Sequence, residues 1–211
     1  NRITDWWRIM QSFKAPLPES VPQYPVGMWG KCCRWWLDKR GWTVQGSLAN
    51  HPKMVLAVGP HTSNWDFIIG VMFKLALGLD VAFLGKHTLF EGPLGGLMRR
   101  LGGIAVDRSK AHGVVGEVAG RISRSEQLLL ALAPEGTRKA VYPWKSGFLY
   151  IAQTARIPIQ CVGLDYQQKT LVFGPVLTVS KDVTVSMESV YSFYRTVTAK
   201  YPQQTITEPN A

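Results

Sequence analysis

Met54-Val55-Leu56-Ala57-Val58-Gly59-Pro60-His61-Thr62-Ser63-Asn64-Trp65-Asp66-Phe67 changes character halfway along. Met54 to Val58 is a short apolar run of strand length, and Gly59-Pro60 breaks it. Thr62, Ser63 and Asn64 are all good helix N-caps, and Phe67 to Phe73 continues as an apolar helix. A buried strand that ends in a polar turn and opens a helix is the unit from which α/β proteins are built. The ends of such strands are also where they place their chemistry. His61 and Asp66 lie in that turn, five residues apart. On an unbroken helix this spacing is about 500° of rotation, which points the two side chains apart. With His61 in the turn and Asp66 in the first helical turn, they can meet as a base and its orienting carboxylate.

The same alternation runs on from residue 42. Strands are expected at 55–58, 81–84, 104–106, 128–133 and 157–164, with helices at 65–77, 94–101, 114–124 and 147–154 between them. That order predicts a single α/β domain, a largely parallel sheet flanked by helices. Segments 170–173 and 176–179, joined at Gly174-Pro175, read as a terminal hairpin, and 186–200 reads as a helix. The expected division is a segment 1–41, an α/β domain over 42–204, and a frayed tail over 205–211.

The first segment differs from the rest. Trp6, Trp7, Ile9, Met10 and Phe13 form one apolar cluster, and Met28, Trp29, Cys32, Cys33, Trp35, Trp36 and Leu37 form another, with basic residues interleaved. On a helix Trp29, Cys32, Cys33 and Trp36 share a face. Such an amphipathic helical segment either packs on the domain or lies in a membrane interface, and periodicity alone does not separate the two. Composition bears on this choice. The 211 residues carry a net charge of +10, with 46% hydrophobic and only 18% charged residues, which excludes a disordered or coiled-coil chain. Excess positive charge selects nucleic acid, an anionic membrane surface or a phosphorylated substrate as partner. Eight tryptophans favour the membrane interface, and no nucleic-acid recognition motif is present. No apolar run approaches the ~18 residues that span a bilayer. Three cysteines, two of them adjacent, form neither a disulfide framework nor a metal-ligand pattern, so no metal is expected and a reducing compartment is.

Further candidates sit at other strand ends. Pro134-Glu135-Gly136-Thr137-Arg138 follows the run at 128–133. Gly136 lets backbone amides approach an anion, Thr137 adds a hydroxyl donor and Arg138 a planar fork suited to phosphate. A charged loop of this kind can also be merely solvated. Asp107-Arg108 ends the 104–106 strand, and Lys86 ends the 81–84 strand. Taken together these describe a base beside a cationic pocket.

The ordered set resembles the glycerolipid acyltransferase family. His61-Thr62-Ser63-Asn64-Trp65-Asp66 is similar to its H-x4-D block, and Gly103-Ile104-Ala105-Val106-Asp107-Arg108 to its second block. Pro134-Glu135-Gly136-Thr137-Arg138 is similar to its E-G-T-R block, and Ile157-Pro158-Ile159 to its fourth. Pro60, Trp65 and Lys139 depart from the commonest form. The resemblance implies an O-acyltransferase that moves a fatty acyl group from acyl-CoA or acyl-carrier protein to a lysolipid hydroxyl. The implied acceptor is 1-acyl-glycerol-3-phosphate and the product phosphatidate, with no cofactor beyond the cosubstrate. It implies His61 as general base with Asp66, and Arg138 and Gly136 at the acceptor phosphate. Arg108 and Lys86 would join that pocket, and Glu135 would orient the loop. It also implies a peripheral, monotopic enzyme on the cytoplasmic face of a membrane. An acyl-enzyme route would need Ser63, which an N-cap role explains better. Two other readings remain: a different acceptor such as a lyso-aminolipid, and a non-catalytic lipid-binding module on the same fold.

Overall fold

A computed structural model describes residues 13, 17–106, 111–180, 182–205 and 207–208. Seven strands form one sheet in the order β1-β7-β6-β2-β5-β3-β4. They are β1 (Thr43–Gln45), β2 (Lys53–Gly59), β3 (Val81–Lys86), β4 (Gly103–Val106), β5 (Leu128–Leu132), β6 (Ile159–Asp165) and β7 (Thr170–Leu177). The helices are α1 (Met28–Lys39), α2 (Asn64–Leu77), α3 (Gly95–Arg100), α4 (Ala111–Arg124), α5 (Gly147–Ala155) and α6 (Val183–Tyr194). Strands β2 to β6 are mutually parallel, and β7 pairs antiparallel with β6.

Strand alternation explains the two-layer core. Met54 and Leu56 of β2 pack with Leu37 of α1 and with Ile69, Phe73 and Ala76 of α2 on one face. Val55 and Ala57 point the other way, into Ile122 of α4, Phe148 and Ile151 of α5, and Met187 and Tyr191 of α6. Two buried faces are why the strands read as continuous apolar runs rather than as alternating ones.

The expected central strands and helices are present, the last helix spanning Val183–Tyr194 rather than 186–200, and two further expectations need correction. Residues 170–179 do not form a hairpin. Thr170–Leu177 is a single strand running through Gly174-Pro175, bonded to β6 across a register shift near Gln160. Pairing with β6 resumes on either side of the dipeptide, Val162 with Phe173 and Gln160 with Val176, so the chain crosses it as a bulge where the dipeptide suggested a turn. The apolar face of α1 is also displaced by one residue. Gly30 and Leu37 are buried and Cys33 half-buried against α2, while Met28, Trp29, Cys32 and Trp35 face outward. Gly30 sets that crossing, because a Cβ there would stand 2.4 Å from the Leu75 carbonyl oxygen. The first aromatic cluster, at 6–10, lies outside the described residues. Among those described, no helix is long and apolar enough to cross a membrane.

Candidate active site

Three adjacent parallel strands, β6, β2 and β5, end side by side, so the residues following them converge. After β2 the chain turns through His61 into α2. Ser63 caps this helix from an extended backbone, its Oγ accepting from Trp65 N at 3.1 Å. Asp66 completes a capping box by accepting from Ser63 N at 2.7 Å, and the same Oδ2 accepts from Thr62 N at 2.7 Å. The cap thus carries the carboxylate under His61, whose Nδ1 lies 3.3 Å from Asp66 Oδ2. With Nδ1 turned to the carboxylate, Nε2 is the nitrogen left to meet a substrate. The other oxygen, Oδ1, accepts from the Tyr166 hydroxyl at 2.7 Å and from Ser63 Oγ at 3.2 Å. Burial pushes the Asp66 carboxyl up. The hydrogen bonds from His61, Tyr166, Ser63 and Thr62 outweigh it and hold the group below its usual range, as a carboxylate.

Glu135, at the end of β5, stands behind His61 rather than in front of it. It is 4% exposed, and its Oε1 accepts from the His61 backbone N–H at 2.7 Å. Its Oε2 has no partner. Burial raises this carboxyl to about 7, against smaller opposing effects of its hydrogen bonds. Glu135 therefore fixes the His61 turn from behind. Gly136 adopts φ +67°, the left-handed region that favours glycine, and Lys145 passes directly beside it. Arg138 Nη1 donates to the Asn64 side chain at the start of α2. Gln204 Nε2 donates to the backbone oxygens of Arg138 and Thr62, each at 2.9 Å, and so ties the two loops together.

His61 and Asp66 open onto a cavity of about 660 Å³. Its polar rim is Thr137, Arg138 and Lys145, and its walls are apolar: Phe67, Gly70 and Val71 of α2, Val81 and Phe83 of β3, and Phe148 and Ile151 of α5. Lys74 lines it too, but its Nζ is turned aside to the carbonyls of Val81 and Leu101 at 2.7 and 2.6 Å, so its stem faces the space. Of the expected site residues, His61, Asp66, Gly136, Thr137 and Arg138 line this cavity. Lys86 is exposed at the end of β3, two strands from β2 (about 10 Å), and is not in the lining. Arg108 lies outside the described residues. Tyr166 and Lys145 had not been singled out from the sequence. Tyr166 follows the end of β6 and touches Asp66 only through the strand order, which no local pattern announces. Among the described residues no three His, Cys, Asp or Glu side chains gather as a metal site.

A model of the Acyltransferase family matches residues 42–165, more than half of the chain. The chain belongs to the Acyltransferase family. Its fold is similar to that in the crystal structure of the 1-acyl-sn-glycerophosphate (LPA) acyltransferase PlsC from Thermotoga maritima. The similarity has a TM-score of 0.58 at 18% sequence identity and covers 82% of this chain and 79% of that one. None of the curated proteins matches. The matched region of this acyltransferase starts at Trp42 and ends at Asp165, so it takes in β1 to β6 and every site residue named above except Tyr166 and Gln204.

Proposed function

We propose that the protein transfers a fatty acyl group from an acyl thioester, acyl-CoA or acyl-carrier protein, to the free hydroxyl of a lysolipid. We further propose 1-acyl-glycerol-3-phosphate as acceptor and phosphatidate as product. The observation that carries this reading is the His61–Asp66 pair at the cationic mouth of a large apolar cavity. His61 Nε2 takes the proton from the acceptor hydroxyl as its oxygen attacks the thioester carbonyl. Asp66 accepts from Nδ1, fixes the tautomer and stabilises the imidazolium that forms. The tetrahedral intermediate collapses by expelling the thiolate, which receives the proton that His61 has held. Direct transfer fits better than an acyl-serine route, because Ser63 Oγ is buried and engaged with Trp65 N and Asp66.

Arg138, Thr137 and Lys145 sit at the rim where an acceptor phosphate would be held, and Arg138 offers the bidentate fork that carboxylate or phosphate recognition uses. The apolar walls suit an acyl chain, and the volume falls in the range of ordinary small-ligand sites. Monotopic attachment to the cytoplasmic face of a membrane completes the proposal. Trp29 is 77% exposed on α1, beside Met28 and Trp35, and Lys31, Lys39 and Arg40 flank them. Each such cation near an anionic surface is worth about 1 kcal/mol, and indoles favour the interface.

Thioester consumption against a panel of lysolipids tests the reading. Lysophosphatidate should be the preferred acceptor, with an uncharged monoacylglycerol poor. Equal use of the two would remove the phosphate from the account and favour a lyso-aminolipid or other acceptor. No turnover with any acceptor would favour a non-catalytic lipid-binding module.

A further inference from the structure

The excursion between β3 and β4 is firmly seated yet turns its large apolar side chains outward. Its 3₁₀ turn, His87–Phe90, puts Phe90 into the sheet edge. Gly85 and Gly103 leave room for that ring, since a Cβ on either would meet it within 2.8 Å. Arg99 Nη2 returns from α3 to the Phe90 carbonyl at 3.0 Å, and its guanidinium lies over the Phe90 ring. A loop pinned in this way is not exposing leucines through looseness. Even so, Leu89, Leu94 and Leu97 are 52%, 63% and 49% exposed. Exposed leucines gathered on one short excursion, rather than scattered singly, mark a contact site.

Two observations say what the contact is with. Lys86, Arg99 and Arg100 border the leucines, and Glu91 is the only acid between residues 86 and 100. That balance complements an anionic surface. The excursion also leaves β3 two residues after Leu84, which lines the apolar cavity. The leucines therefore follow directly on a strand that walls the cavity, and none of the three lines it. We propose that Leu89, Leu94 and Leu97 form a lip that docks the cavity mouth on an anionic lipid bilayer, separately from α1. This rests on the lysolipid-acceptor reading above. The lip shortens the path from membrane to His61, because an acceptor's acyl chain can move from bilayer to cavity without crossing water.

The test compares turnover on long-chain lysophosphatidate embedded in phosphatidylglycerol–phosphatidylcholine vesicles with turnover on a water-soluble short-chain lysophosphatidate. The double variant Leu94→Glu, Leu97→Glu should lower the ratio of the two at least about tenfold, because two apolar contacts are replaced by charges repelled by the surface. Turnover on the soluble acceptor should stay within about twofold of wild type, since neither leucine lines the site. The milder pair Leu94→Ser, Leu97→Ser should move the ratio in the same direction. An unchanged ratio, or a parallel loss on both acceptors, overturns the proposal. So does a wild-type dimer that the glutamates dissolve, because the lip would then face a second copy. Sedimentation with the same vesicles reads the lip without any turnover. Weakened sedimentation of an enzyme inactive on every acceptor would leave the lip standing and the acceptor reading wrong.

Discussion

Asp66 carries two duties at once, completing the cap of α2 and orienting His61, and Tyr166 is the residue that reconciles them. Its hydroxyl, 2.7 Å from Oδ1, takes up charge that the cap and the imidazole leave uncovered. The Tyr166 ring is held independently, edge-on to Trp42 with centroids 5.3 Å apart. Tyr166→Phe should therefore keep the packing and remove only the donor. Asp66 then loses one of the hydrogen bonds that hold it as a carboxylate and orients the imidazole less firmly. Turnover near neutrality should fall about tenfold, the scale of one hydrogen bond to a charged group. A fall in Tm with turnover unchanged would make Tyr166 merely structural. Glu135 gives a second reading at this scale. Its carboxyl is raised to about 7 from an ordinary 4.5 by burial. Between those two values the folded protein keeps a proton that the unfolded chain has released, so stability falls as pH rises through that window and levels off above it. Glu135→Gln should flatten this part of a Tm-against-pH series. A slope that survives the substitution would contradict the burial argument. Asp66, shifted the other way, acts only below its usual 3.8 and does not overlap.

The elements explain why some of this was legible in the sequence and some was not. The strand–turn–helix at Met54 to Phe73 declares itself locally: an apolar run, a Gly-Pro break, a Ser cap and an acid three residues on. His61, Asp66 and the loop at Glu135 could therefore be named from residues alone. Tyr166 and Lys145 could not, because their approach depends on β6 lying beside β2 and on the chain's path after β5. The face of α1 was misplaced by one residue because tryptophans outnumber the small residues, yet Gly30 is what lets the helix come close to α2. Gly174-Pro175 looks like a turn but lies inside β7, where pairing with β6 before and after it overrides local preference. Helix α2 also carries a prediction of its own. Phe67, Gly70, Val71 and Lys74 form its cavity-lining stripe, and a Cβ at Gly70 would meet nothing within 4 Å. From Phe67 to Leu77 the wall runs about 15 Å. Gly70→Phe should fill this space at no helical cost, since glycine is the poorer helix former. The variant should lose use of long-chain donors while keeping shorter ones, as read from thioester consumption across chain lengths. An unchanged length profile in a folded variant would place the acyl chain elsewhere.

At the scale of the molecule, the sheet brings the His61–Asp66 pair and a cationic rim to one edge and leaves an apolar cavity behind them. The exposed indoles of α1 and the leucine lip lie outside that cavity. On the proposed membrane attachment, a net charge of +10 should add an attraction to anionic lipid that falls as salt is added. The account depends on His61 acting as the base of acyl transfer between two amphiphiles. The direct measurement is single-enzyme turnover of an acyl thioester with lysophosphatidate, following thiol release and phosphatidate together, for wild type and for His61→Ala. His61 lies in a turn, so the variant should fold, with an unchanged Tm. Release of thiol and formation of phosphatidate should then both fall by about a thousandfold, the scale of a lost general base. Near-normal turnover in folded His61→Ala would contradict the account at its centre.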